Sequence, residues 1–291
     1  MTDERTVRRL LADHGREAGT VRLLGAGLDH AAYEVDGELV VRLTAADGEA
    51  PREARLLRAV GAVAPLPVPV PLIVAPGCLA YRKLPGRPLI ELPDAPRLAT
   101  AVGAALGELL AVVHALPVEE LGGVVGVDAT PLTEWVAEAR DTWPGLREAV
   151  PAAHRPAVED FLAQEPPPDG AAQVLAHNDL GVEHVLVDAS GRVTGVIDWS
   201  DAALTDPARD LGLIYRDLGP QGLDAALTVY GEVGDDVVRR AELYARCGAL
   251  EDLAYGLQTS RTGYVTKTLR SLTWLFPTAA TLIGETRHPV I

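Results

Sequence analysis

The residues best suited to chemistry crowd into one run, 174–210, which reads VLAHNDLGVEHVLVDASGRVTGVIDWSDAALTDPARD. It sets His177, Asp179, His184, Asp198, Asp201, Asp206 and Asp210 among β-branched and aliphatic residues. The pattern predicts a strand-like approach through VLAH, a loop over NDLGVEH, and two short strands, VLVD and VTGVID. Ala189-Ser190-Gly191-Arg192 makes the turn between these strands. That hairpin brings Asp179, His184 and Asp198 toward one point, while Leu186, Val187, Val196 and Ile197 anchor it. Two carboxylates and an imidazole on a rigid hairpin can hold a divalent cation and supply a general base. Taken singly, each of these residues reads more readily as a turn aspartate, a helix cap or a core histidine; the ordered set does not.

Other elements must carry this run. Residues 4–17 read as an amphipathic helix, with Val7, Leu10 and Leu11 on one face. A three-stranded antiparallel meander follows, with a glycine turn at Gly25-Ala-Gly27 and a tight turn at Asp36-Gly37. Segment 49–61 is a helix with Pro51 near its start. The proline-rich 65–74 is too apolar for a solvated tether and reads as an extended connection over a sheet edge. Residues 78–84 form another strand, and Pro85-Gly86 ends it. From Asp94 the period is helical, with an apolar face from Leu98 to Val113. Further helices are predicted at 131–147, 153–164, 208–217, 221–232, 235–258 and 261–276, with a polar loop at 165–170.

The order H-x-D, then His184 five residues after Asp179, then Asp198 after G-V-I, matches a kinase catalytic loop and its metal-binding Asp. HNDL, HVLVD and GVIDWSDAALTDPARDL together resemble the aminoglycoside phosphotransferase family, the small-molecule branch of the protein-kinase-like fold. LLGAGLDHAAYEV is similar to that family's nucleotide loop, LVVRL to its third strand, and REARLL to the helix with its ion-pair Glu. The resemblance implies an α+β, two-lobed fold. Residues 1–85 would be a nucleotide-binding lobe with a small antiparallel sheet and one helix. Residues 86–291 would be a larger, mainly helical lobe carrying the catalytic hairpin and the substrate site.

The resemblance also implies roles. Asp179 takes the place of the catalytic Asp that aligns the acceptor hydroxyl and accepts its proton. Asp198 takes the place of the metal-binding Asp. His184 stands where most members have a metal-binding Asn, a departure shared with the 2''-aminoglycoside and macrolide 2'-kinases. Imidazole is a softer ligand than Mg²⁺ prefers. His177 orients the loop, and Asp206 and Asp210 are structural anchors, Asp206 as a cap before Pro207. Arg42 replaces the phosphate-binding Lys, with Glu53 as its partner; the alternative is an exposed strand Arg and a solvated helix Glu. Gly25 and Gly27 would form the phosphate loop. Residues 80–84, including Tyr81 and Lys83, would join the lobes and bind the base by backbone hydrogen bonds. The donor is ATP or GTP with Mg²⁺.

The chain's 291 residues, 48% of them hydrophobic, suffice for one large or two modest domains. No apolar run reaches the ~18 residues of a membrane span, and the start shows no signal peptide. Cys78 and Cys247 read as free thiols. A cytoplasmic monomer is expected. A net charge of -15 argues against nucleic acid and anionic membrane and permits a cationic substrate. Asp201, Glu251, Asp252 and Tyr255 are the candidate substrate contacts, although the last three also read as a solvated acidic turn. An aminoglycoside is the first expectation for the acceptor and a macrolide the second. Choline-, homoserine- or thioribose-type kinases and a nucleotide-binding pseudokinase remain as alternatives.

Overall fold

The computed structural model describes residues 4–26, 30–44, 48–92, 95–121, 123–171 and 173–278. Helix α1 (Glu4–Asp13) precedes strands β1 (Val21–Ala26), β2 (His30–Val35) and β3 (Leu39–Thr44). Helix α2 (Glu49–Val63) then leads to β4 (Pro71–Ala75) and β5 (Cys78–Arg82). The sheet is antiparallel in the order β1-β2-β3-β5-β4. Asp36 and Gly37 both take positive φ, 54° and 72°, which turns β2 back into β3. The carboxylate of Asp36 also accepts the amide hydrogens of Gly19 and Thr20, at 3.1 and 2.6 Å.

The proline-rich run is more than a connection. Its second half is β4, an edge strand paired with β5. Pro71 opens that strand, a position where a missing N–H costs no ladder bond. The core explains why β3 reads as apolar on both faces. Val41 and Leu43 pack toward α1 with Val7 and Leu11. Val40 faces α2 and the large core of the chain, and Arg42, two positions along, shares that face.

The remainder is mostly helical: α3 (Ala99–Val113), α4 (Leu132–Leu146), α5 (Arg155–Ala163), α6 (Ala208–Tyr230), α7 (Asp235–Gln258) and α8 (Thr262–Leu275). The two helices expected at 208–217 and 221–232 follow one another within α6 and are separated at Gly219, whose φ of 71° and ψ of -169° are not helical. Pro220 follows, and its missing N–H suits the break. Ala95–Val113 spans 19 residues with a mean hydropathy of 1.4, so the length and apolarity of a membrane span are in fact reached. Here its apolarity serves packing against α6. A Cβ on Gly103 or Gly107 would lie 2.2 Å from Gly222 O or 2.3 Å from Ala226 O.

Two small sheets hold the central run. The first has the order β10-β9-β6, from β6 (Arg87–Pro88), β9 (Val185–Val187) and β10 (Val193–Val196). The second joins β7 (Gly126–Val127), β11 (Ala203–Thr205) and β8 (Val174–Ala176) in the order β7-β11-β8. The β9–β10 hairpin touches the crossing between the amino-terminal sheet and the helical part. Val196 N–H donates to Pro67 O at 3.0 Å, and Thr194 Oγ1 donates to Pro85 O at 2.6 Å. Cys78 and Cys247 are buried free thiols.

Gly107→Val puts branched bulk against the α6 backbone and is expected to cost about 3 kcal/mol. Urea unfolding measures this, and an unchanged midpoint would show that the helices are not so closely apposed.

Candidate active site

The site begins where β8 ends. His177 is fully buried and Asp210, in the first turn of α6, is too. The Asp210 carboxylate accepts the backbone N–H groups of His177 and Asn178, at 2.8 and 2.9 Å. His114 Nε2, on the residue after α3, lies 3.1 Å away, and its Nδ1 meets the Tyr230 hydroxyl at 3.0 Å. Burial disfavours the Asp210 charge, but the hydrogen bond and charge of His114, with the backbone N–H of His177, outweigh it and hold the carboxyl below its ordinary range.

His177 is neutral because burial lowers its pKa. Its Nε2–H donates to Ile197 O at 3.1 Å, and Nδ1 accepts the Asp179 amide at 3.3 Å. One ring thus ties the loop at Asp179 to the strand end before Asp198. His184 completes the tie. Its Nδ1–H donates to Asp179 O at 2.8 Å, with Asp179 Oδ2 at 3.4 Å. Its Nε2 faces Asp198 Oδ2 at 3.8 Å. Burial opposes the protonated ring, but Asp179, Glu183 and Asp198 outweigh it and raise the pKa.

Asp198 takes a left-handed φ of 62°, an uncommon state for a residue with a Cβ. Its Oδ1 accepts the Ser200 hydroxyl at 2.9 Å and lies 3.4 Å from Arg42 Nη1. Arg42 in turn donates to Glu53 Oε1 at 2.6 Å. Arg42 and Glu53 are both buried, which overturns the exposed alternative for this pair. Burial weakens the Arg42 cation, while Glu53 and Asp198 more than restore it.

The remaining expected contacts divide. Gly25 lies in β1, and Gly27 lies outside the described residues. Tyr81 is buried within β5. Lys83 is committed to the sheet: its N–H donates to Glu38 O at 2.7 Å, and its ammonium pairs with Glu34. Of residues 80–84, expected to bind a base through their backbone, the Lys83 amide is spent on Glu38 O. Asp206 holds the Ala208 N–H at 3.0 Å and Arg240 Nε at 2.5 Å. Asp201 is exposed at the surface, yet partial desolvation of its carboxyl by the neighbouring loop, with the charges of Asp179 and Asp198, raises its pKa.

Asp252 is the clearest correction. It was expected to receive a ligand ammonium, but Arg216 Nη1 and Lys267 Nζ each lie 3.1 Å from it. Glu183 and Asp217 share these cations, at 2.8 Å (Lys267–Glu183) and 2.9 Å (Arg216–Asp217). Three carboxylates around two cations leave one excess negative charge. Burial, aided by Asp217 and Glu183, pushes Asp252 up to about 6 against the pull of Arg216 and Lys267. Glu251 and Tyr255 are exposed, and the Tyr255 ring lies edge-on to Tyr264 at 5.0 Å.

Sequence reasoning missed Asn178, Arg209, Asp128, His114 and the Arg216–Lys267 pair. Only Asn178 and Arg209 lie in the dense run, and no motif marks the others. The donors fit a divalent ion. With the Nδ1–H of His184 spent on Asp179 O, the proton that the surrounding carboxylates favour sits on Nε2, and a cation bound beside Asp198 would take that proton's place on the Nε2 lone pair. Among the described residues no group of three or more His, Cys, Asp or Glu side chains could hold a metal ion, so an ion beside His184 and Asp198 would need further oxygen ligands from phosphate or water.

The folded Asp210 carboxyl lies below its unfolded value of about 4. Its stabilisation is complete above that pH and is lost as pH falls through the folded value. Asp210→Asn should cost about 3 kcal/mol at neutral pH. Urea unfolding should show wild-type stability falling more steeply below about pH 4 than the variant's; parallel slopes would contradict this account.

Residues 20–247 match the model described as "Phosphotransferase enzyme family". Viomycin phosphotransferase from Streptomyces vinaceus is 30% identical over 64% of this chain and 70% of its own length. A GDP complex of aminoglycoside 2'-phosphotransferase-IIIa superposes with a TM-score of 0.67 at 22% identity, over 92% of this chain and 96% of that one. Macrolide 2'-phosphotransferase MphH from Brachybacterium faecium gives 0.62 at 25% identity, covering 92% and 97%.

Proposed function

The chain belongs to the phosphotransferase enzyme family, and we propose that it moves the terminal phosphoryl group of ATP or GTP to a hydroxyl of a cationic antibiotic. One observation carries this reading. The Asp179 and Asp198 carboxylates stand on either side of His184, at 3.4 and 3.8 Å from its ring nitrogens, with the Arg42–Glu53 pair behind Asp198. A GDP-binding neighbour of the same fold supports the choice of a nucleotide donor.

In this reading residues 1–85 form the nucleotide lobe and 86–291 the acceptor lobe. Arg42, kept in place by Glu53, faces the phosphates. Its planar guanidinium keeps the charge a Lys would supply and can fork onto two oxygens. Asp198 and His184 Nε2 would hold Mg²⁺, which neutralises phosphate charge when bound. Asp179 orients the acceptor hydroxyl and takes its proton. Its side chain is 40% exposed and so stays open to the acceptor. His177 fixes the distance between the acceptor and phosphate sides. Most of the rate comes from positioning and charge neutralisation, as in-line phosphoryl transfer requires.

The acceptor side is acidic. Asp128, Asp179 and Asp201 surround Asn178, and the whole chain carries -15. Aminoglycosides and viomycin, the acceptors its relatives are named for, are the classes we place first. With Asp252 neutralised internally, fewer carboxylates remain for a polycation than the sequence implied. Incubation with ATP or GTP, Mg²⁺ and a panel of aminoglycosides, viomycin and macrolides should give a phosphate mass increment on a cationic member. A panel with no modified member would remove the antibiotic assignment. Asp179→Asn should lower turnover on the order of 10²- to 10⁴-fold while nucleotide affinity, read by titration calorimetry, holds.

A further inference from the structure

Arg209 precedes the anchoring Asp210 and has an unusual setting. Its guanidinium carbon lies 3.9 Å over the Trp135 ring of α4 and 5.4 Å from the Tyr244 ring of α7. Its Nε donates to Asn178 Oδ1 at 3.0 Å. Among the described residues no carboxylate oxygen comes within 4.0 Å of its nitrogens. The buried Arg216 and Arg240 differ, with carboxylates at 2.9 and 2.5 Å. Burial lowers the Arg209 pKa, opposed most by the more distant Glu251. A cation kept among aromatic faces, with a neutral amide as its partner, costs more than an ordinary ion pair. It gains one thing in return, a fixed orientation for that amide.

That amide is the junction of the acceptor side. Asn178 Nδ2 donates to Asp128 Oδ2 at 3.3 Å and to Asp201 O at 3.1 Å. Asn178 also has a left-handed φ of 68°, which glycine would adopt freely. What Asn adds over Gly is the amide group. If the amide flipped, its oxygen would face two oxygens, and the loop bearing Asp179 would lose its register on 201. The Arg209 N–H prevents the flip by demanding the oxygen edge. Neither Arg209 nor Asn178 makes a hydrogen bond or ion pair with Arg42, Glu53, His184 or Asp198.

We propose that Arg209 is a positioning residue for the acceptor half of the site, acting through the Asn178 amide to set Asp179 and Asp201 toward the incoming hydroxyl. The proposal rests on the phosphotransferase reading for the role of Asp179. It separates the two substrates: Arg209 governs the acceptor and leaves the nucleotide alone.

A double-mutant cycle with Arg209→Met and Asn178→Gly tests it, with kcat and KM measured for both substrates. Each single variant should lower acceptor kcat/KM by about 10- to 100-fold, as misplacement near 1 Å does. The nucleotide KM should stay within about twofold, and the double variant should be no worse than the poorer single. Arg209→Lys, which keeps the charge over the rings but lacks the planar Nε–H, should behave like Arg209→Met. It also replaces Arg209→Met in the cycle if that protein does not fold. Additive losses, an equal rise in nucleotide KM, or full activity without the guanidinium would overturn the proposal. If the wild type phosphorylates no acceptor, it is the antibiotic reading that fails. The Arg209–Asn178 link is then decided by melting temperatures across the same cycle: non-additive shifts sustain it and additive shifts sink it.

Discussion

The site depends on a buried carboxylate that binds backbone. Asp210 has no exposed surface and spends its charge on two consecutive amide hydrogens, those of His177 and Asn178. Left unpaired in that interior, either amide would cost free energy comparable to a lost hydrogen bond. The loop therefore cannot leave Asp210 one bond at a time without penalty. Because Asp210 sits in the first turn of α6, the helix amino terminus also favours its charge. Beyond Gly219, α6 is packed closely against α3 at Gly222 and Ala226.

From that anchor two further constraints spread outward. His177 bonds both ends of the site through one neutral ring. Beneath the hairpin, Val182 N–H donates to Asp217 Oδ2 at 3.0 Å, and Glu183 is held by Lys267. That cluster fixes the residues just before His184 from below. Its excess carboxylate is Asp252, whose pKa burial pushes up to about 6. On the other side, Arg42 reaches from the sheet to Asp198. This contact brings the small sheet and the helical part to bear on one oxygen.

Much of this was legible from residue order. The hairpin at 185–198, the helix periods and the turn at Asp36-Gly37 follow from local preferences, and each appears close to its expected bounds. Arg42 and Glu53 were legible as a pair only through the family resemblance. Alternation alone left an exposed strand Arg equally open. Asp252 misled because a carboxylate beside a tyrosine on a helix looks the same whether its partners are a ligand or two cations far away in the chain. The proline run misled because local composition does not reveal a strand that gains its bonds from β5.

What the sequence determined by itself is therefore local: which stretches turn, which alternate, and which short motif carries two aspartates and a histidine in kinase order. Those features rest on backbone preferences and on neighbours a few residues apart. The tertiary structure alone decided which charges are spent inside and which face outward. Lys267 and Arg209 become committed only when α6, α7 and α8 pack, and apart from Asp217 beside Arg216 the partners that neutralise or orient these cations are distant in the sequence. Desolvation acts on the assembled interior, so the cost of each charge and the partner that offsets it exist only once the chain has folded.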